Sequence, residues 1–173
     1  MQKVEKYISD VQSGAVPVCE HVRNAVDRYV ADRAAGWGFS DTYALHAIEF
    51  IEQLEHSTGE YADKPFELEP WQAFIIWNLF GFLNDDGSRR FTRAYVEVPR
   101  KNGKSTFSSA IMLYGLIADD ESAAQVYSAA TKLDQAMMVF GESVRVCQNL
   151  PWLNEALTVN NSVNNRRILY GQS

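Results

Sequence analysis

Pro99-Arg100-Lys101-Asn102-Gly103-Lys104-Ser105 lies between two runs of different character. Ahead of it, Arg93-Ala94-Tyr95-Val96-Glu97-Val98 is β-branched and aromatic and reads as a strand. Behind it, the run from Thr106 to Ala118 is apolar at close intervals and reads as a buried helix. A strand, a tight loop closing on Gly-Lys-Ser and a helix together form the setting of a phosphate-binding loop. There, backbone N–H groups at the turn and the helix N-terminus point at phosphate oxygens. Gly103 lets the backbone come close without a Cβ in the way. Lys104 sets an ammonium against the β- and γ-phosphates, and the Ser105 hydroxyl is the Mg²⁺ ligand. The general pattern is G-x-x-x-x-G-K-[ST], and its first glycine position is Val98 here.

The chain has 173 residues, enough for one domain with a real core. A hydrophobic share of 46% and a charged share of 22% are ordinary for a soluble globular protein. The longest apolar run, from Phe74 to Leu83, falls short of the ~20 residues that cross a bilayer. Met1-Gln2-Lys3-Val4-Glu5-Lys6 lacks the apolar segment of a secretory signal. Cys19 and Cys147 stand in no metal-like spacing and read as reduced thiols of a cytoplasmic protein. His21, His46 and His56 fall in separate helical contexts and read as packed or solvated residues. A net charge of −6 argues against coating nucleic acid through a global field. Arg89, Arg90, Arg93, Arg100 and Lys101 cluster in sequence, which leaves two readings. They form a local basic patch for DNA, or Arg89 and Arg90 are solvated flanks of a turn.

Residues 1 to about 60 read as helical. Val4, Tyr7, Ile8 and Val11 fall at i, i+3, i+4 and i+7. A second helix is expected from near Pro17, with Val18, Val22, Ala25, Val26, Tyr29 and Val30 on one face. Ser40-Asp41 caps a third, whose expected buried side is Tyr43, Ala44, Ala47, Ile48, Ile51 and Leu54. A new section opens at about residue 61. Pro70 sits in the first turn of a strongly apolar helix that runs to about Leu83. Asn84-Asp85-Asp86-Gly87-Ser88 is a turn before the first strand. Leu116-Ile117-Ala118 continues the helix after Ser105, and Asp119-Asp120-Glu121 at its end reads as a solvated turn, because no room remains for a separate strand ending in acids. Ala124-Gln125-Val126-Tyr127-Ser128-Ala129-Ala130 reads as a second, buried strand. Thr131 and Asp134 resemble a capping box for a helix from Lys132 to about Gln148, with Ala136, Val139, Phe140, Val144 and Cys147 inside. Strand–helix–strand–helix predicts an α/β fold: part of a P-loop NTPase with a parallel sheet and flanking helices, preceded by a helical section. Ala156-Leu157-Thr158-Val159 and Arg167-Ile168-Leu169-Tyr170 are candidate strands around residues 160–165, and the stop at Ser173 without a terminating element suggests a fragment.

Three stretches, Phe66–Gln72, Val96–Ser105 and Val126–Ala136, together resemble the large terminase subunit of tailed bacteriophages and prophages. The likeness covers essentially the whole chain but only the front part of the family protein: a helical section over 1–60 and the first half of a P-loop ATPase domain over 61–173. It implies an ATP-driven motor that moves double-stranded DNA into a capsid, works with a small terminase subunit and a portal protein in a homo-oligomeric ring, and acts in the cytoplasm of a bacterial host with no membrane contact. By position, Gln72 matches an adenine-contacting glutamine supported by Trp71 and Phe66. Arg100 matches an arginine that senses or stabilises the γ-phosphate. Lys104 and Ser105 match the phosphate-binding lysine and the Mg²⁺ hydroxyl. Arg100 and Lys104 are thus the implied catalytic residues, and Gln72, Arg100, Lys101, Asn102, Gly103, Lys104, Ser105 and Thr106 the implied ligands of ATP. The family also tolerates a residue other than glycine at the position of Val98. No apolar strand ending in Asp-Glu follows, and no carboxylate cluster suits a two-metal nuclease. The expectation is therefore a chain that binds nucleotide weakly and does not turn over alone. Two rivals stand beside it: another P-loop enzyme such as a superfamily-two helicase or a kinase, and a non-catalytic prophage remnant or assembly module.

Overall fold

The computed structural model describes residues 1–162 and 165–171. In order it has α1 (Gln2–Ser13), α2 (Glu20–Ala34), α3 (Asp41–Glu52), α4 (Pro70–Gly81), α5 (Lys104–Ile117), α6 (Leu133–Asn149), α7 (Pro151–Ala156), β1 (Leu157–Ser162) and β2 (Asn165–Tyr170), with a 3-10 turn at Gly59–Tyr61. The chain divides into two compact units. Met1–Glu49 with Leu68–Val96 form the first, and Phe50–Glu67 with Glu97–Ser173 the second.

In the first unit the α1 stripe of Val4, Tyr7, Ile8 and Val11 is buried as its spacing predicts. Tyr7 meets Phe74 of α4 with ring centroids 5.6 Å apart. α4 buries Ala73, Phe74, Ile76, Trp77 and Phe80, so it is apolar nearly all round. Tyr29 of α2 touches the rings of Phe39, Phe74 and Phe82. Its hydroxyl accepts a hydrogen bond from Trp77 Nε1 at 3.1 Å, which satisfies the polar end of each ring system. The Ser40 hydroxyl accepts from the Tyr43 N–H and caps α3 as expected. Tyr43 itself is exposed rather than buried. The 84–88 turn forms, with Asp86 Oδ1 accepting from both the N–H and the hydroxyl of Ser88. Those bonds hold the Asp86 carboxyl below its usual range.

The chain leaves α4 through Gly81, where an added Cβ would lie 2.3 Å from Phe39 Cζ. Gly81→Ala is therefore expected to destabilise the protein by about 1–3 kcal/mol through overpacking. A lower urea midpoint with an unchanged slope is the measurement that checks it.

Arg89 and Arg90 are neither a patch directed outward nor solvated flanks. The Arg90 guanidinium lies 3.8 Å from the Trp37 ring centre and pairs with Asp32 at 2.8 Å. Arg89 lies over Phe80 at 4.7 Å. Weakly hydrated, planar guanidinium groups suit such stacking.

In the second unit, Phe50 packs on Tyr114 and Trp152. Phe107, Ala110 and Leu113 of α5 are buried with Val144, Val146 and Cys147 of α6. Burial pushes the Cys147 thiol up to about 12. Leu54 and Phe66 are buried with their backbones joined by a 2.7 Å bond from the Phe66 N–H to the Leu54 carbonyl. Burial lowers the His56 imidazole from its usual value, against the opposing field of Glu142.

β1 and β2 pair antiparallel from Leu157↔Tyr170 to Ser162↔Asn165. They are the candidate strands of the tail, each longer than the four residues expected. The centre of the expected 160–165 connection and the terminal Ser173 lie outside the described residues. The parallel sheet does not form among the described residues; the one sheet there is this two-stranded hairpin. The runs 93–98 and 124–130 adopt no strand, and Tyr127, expected inside, is 80% exposed. A strand exists only through a neighbour's ladder, and neither run has one here. α6 starts one residue later than expected, with Lys132 rather than Thr131 at the N-cap and no capping box. Its buried side holds Glu142 and Ser143, while Ala136, Val139 and Phe140 are half-buried. α7, opened by Pro151 at its first turn, had no sequence expectation.

Candidate phosphate-binding site

The loop after Val98 turns on two residues with positive φ. Lys101 has φ 69 and Gly103 φ 67. Glycine takes that conformation freely, while a lysine there costs on the order of 1–3 kcal/mol and persists only when its surroundings enforce it. Asn102 supplies part of the enforcement: its side-chain amide donates to the Pro99 carbonyl at 3.2 Å and the Arg100 carbonyl at 3.3 Å. Gly103 is the N-cap of α5, and its carbonyl accepts the first helical bond, from the Phe107 N–H at 2.8 Å. By helix geometry the N–H groups of Lys104, Ser105 and Thr106 have no partner within the helix. No acidic residue occupies that first turn, so the positive end of the helix is not self-neutralised.

Lys104 reaches back across the loop. Its Nζ donates to the Val98 carbonyl at 3.3 Å. This accounts for valine at the position where the general pattern has glycine. The lysine uses the backbone oxygen there, which every residue supplies, and Val98 is not among the residues with positive φ. Arg100, Lys101 and Asn102 are exposed; Ser105 and Thr106 are half-buried. The Thr106 hydroxyl donates to Glu142 Oε1 at 3.4 Å. Arg100 through Thr106 thus lie together in the second unit.

Gln72 lies in the first unit and is 4% exposed. Its Oε1 accepts from the Glu69 N–H at 2.9 Å, and the Glu69 side chain accepts from the Gln72 N–H, which completes a capping box on α4. Sequence reading placed the box on α6 instead. The signal for this one was Glu69-Pro70-Trp71-Gln72, a pairing in which Glu takes the place usual for Ser or Thr. Gln72→Ala is expected to cost about 1 kcal/mol through loss of the box, and Gln72→Glu at least as much, because a carboxylate at this buried position beside Glu69 has no cation to pair with among the described residues. Denaturation midpoints of the two variants check this.

Among the described residues no group of three or more His, Cys, Asp or Glu could hold a metal ion, and no helix is long and apolar enough to cross a membrane.

The family model for the terminase large subunit, ATPase domain, matches residues 70–168. The crystal structure of the HK97 bacteriophage large terminase is similar, with a TM-score of 0.62 and 26% sequence identity. The match covers 73% of this chain and 25% of that one, so the chain spans about a quarter of the length of the solved terminase. No curated protein matches the sequence.

Proposed function

The chain belongs to the family of terminase large subunit ATPase domains, and from that membership we propose that residues 98–106 bind the phosphates of MgATP as part of a motor that packages viral DNA. The observation that carries the reading is the crossed loop, with Lys104 on the Val98 carbonyl over a helix N-terminus free of acidic residues. The lysine is held within the loop, close to where a phosphate would replace the carbonyl as its partner.

In this reading Lys104, Arg100 and the N–H groups from Lys101 to Ser105 hold the phosphates and spread their charge. The half-buried Ser105 hydroxyl suits Mg²⁺, a hard cation that takes one or two protein oxygens beside phosphate and water. When bound, that ion neutralises charge on the β- and γ-oxygens. The helical section over 1–60 and the nucleotide part over 61–173 are the proposed organisation, supported by the family match beginning at residue 70.

The runs 93–98 and 124–130 become neighbouring strands of a parallel sheet once further strands of the longer protein pair with them. An apolar groove of about 710 Å³ beside the second run, lined by Met112, Leu116, Val126, Met137 and Phe140, supports this. The catalytic glutamate comes with those strands, so the chain alone binds nucleotide and hydrolyses none. DNA, the small terminase subunit, the portal and a homo-oligomeric ring in the bacterial cytoplasm belong to the same proposal. Calorimetric titration with MgATP tests it, beside a Lys104 variant and an assay for released phosphate. Binding that needs Lys104, without turnover, is the expected result; turnover by the chain alone overturns the assignment of the glutamate.

A further inference from the structure

Glu142 stands in the middle of α6 and is 6% exposed. A carboxylate withdrawn from water is costly unless it is paired and hydrogen-bonded. Both oxygens of Glu142 are used. Oε2 accepts from Arg145 Nη2. Oε1 accepts from the Ser57 hydroxyl at 2.9 Å and from the Thr106 hydroxyl at 3.4 Å. Arg145 Nε donates to Ser57 Oγ at 3.3 Å and closes the ring. Three separate pieces of the second unit therefore meet on one side chain: the segment after α3, the first turn of α5 and the body of α6. At the next residue of α6, Ser143 gives its proton to the Val139 carbonyl and accepts from Ser109 at 2.9 Å, a second polar tie between α5 and α6.

We infer that Glu142 is a positioning residue for the phosphate loop: through the Thr106 hydroxyl it fixes the roll of the first turn of α5, and with it the direction of the Lys104, Ser105 and Thr106 N–H groups. The inference rests on the reading of 98–106 as a phosphate site. Apolar contacts set where a helix axis lies but leave rotation about the axis soft, because they are not directional. A roll of about 20° moves atoms at the ~2.3 Å backbone radius by about 0.8 Å. That exceeds the ~0.5 Å within which a binding constellation has to be held. A directional bond to a buried, doubly anchored acceptor removes this freedom. Arg145 has a second part: paired with Glu142, it offsets a negative charge that would otherwise stand beside an anion site.

The test uses the whole chain and two readouts. The Phe107 amide makes the first bond of α5, so its hydrogen exchange reports the first turn without any nucleotide. In Glu142→Ala and Thr106→Val this amide is expected to exchange about tenfold faster, with Leu113 and Tyr114 unchanged. MgATP is expected to bind about fivefold more weakly to Glu142→Ala. Glu142→Gln, which keeps an acceptor for Thr106 and Ser57, and Thr106→Ser are expected to restore Phe107 protection. If Glu142→Ala does not fold, Thr106→Val carries the test, since it leaves the Glu142–Arg145–Ser57 ring intact. Unchanged Phe107 exchange in Thr106→Val overturns the inference. Nucleotide binding that ignores Lys104 overturns the phosphate-site reading instead, and the exchange result still decides whether Glu142 anchors the turn.

Discussion

Replacing Lys104 with alanine is expected to weaken MgATP binding by about 10- to 150-fold, which corresponds to the ~1.5–3 kcal/mol carried by a hydrogen bond to a charged group. The side chain is exposed and donates to a carbonyl of its own loop. Its removal therefore costs little stability, and the melting temperature is expected to stay within about two degrees of the wild type. Loss of affinity with retention of fold is the signature of a ligand contact. Lys104→Arg is expected to fail as a rescue, because a planar fork does not reproduce a compact ammonium in a tight loop. Equal affinity of wild type and Lys104→Ala, measured by calorimetry, would remove residues 98–106 from the nucleotide site altogether.

The largest stability loss is expected in the first unit. Phe82 is fully buried and meets Tyr29, Phe39 and Phe91 edge-on, with centroids 5.8, 4.9 and 5.4 Å away. The Arg90 guanidinium adds a fourth neighbour at 5.4 Å. Phe82→Ala removes the shared ring of this cluster and leaves a cavity that the flanking aromatics cannot close by small movements. The expected cost is about 3–5 kcal/mol, a large part of the ~5–15 kcal/mol total of a typical domain. Tyr43→Ala is the control: it deletes an exposed ring and is expected to stay within about 0.5 kcal/mol. Equilibrium urea unfolding followed by near-UV dichroism reads both variants. A Phe82→Ala loss no greater than that of the Tyr43 control would mean the cluster repacks, and the first unit would then owe its stability to α1 and α4 alone.

Local signals were legible where local chemistry decides. The α1 stripe, the Ser40 cap, Pro70 at the start of α4, the 84–88 turn and the Gly-Lys-Ser loop each rest on residues within a few positions of one another. The same holds for Asp120 and Glu121, exposed after α5, while Asp119 is half-buried. What the sequence did not disclose depends on partners far along the chain. Ala124–Ala130 has strand composition, but composition does not provide a neighbour. Arg89 and Arg90 look like surface charges until Trp37, Phe80 and Asp32 come alongside from other segments. Glu142 breaks the apolar pattern of α6 and reads as a polar interruption, because its partners are Ser57 and Thr106, 85 and 36 positions away. In the candidate site, the role of Val98 was hidden for a related reason: the lysine uses its backbone, on which the side chain carries no information.

The interleaving of the two units has a consequence for how the chain comes off the ribosome. Neither unit is a continuous stretch, and the first is finished only when Leu68–Val96 has been made. α1 emerges with its buried face exposed and waits for Phe74, some 60 residues later, which at about 5–20 residues per second is a delay of several seconds. Phe82 and Phe91, which complete the aromatic cluster around Tyr29, come later still. During that interval α1 and α2 have each other but not α4, and the faces that meet Phe74 stay open to solvent. Vectorial synthesis therefore imposes an order in which the oldest helices are the last of their unit to be sealed.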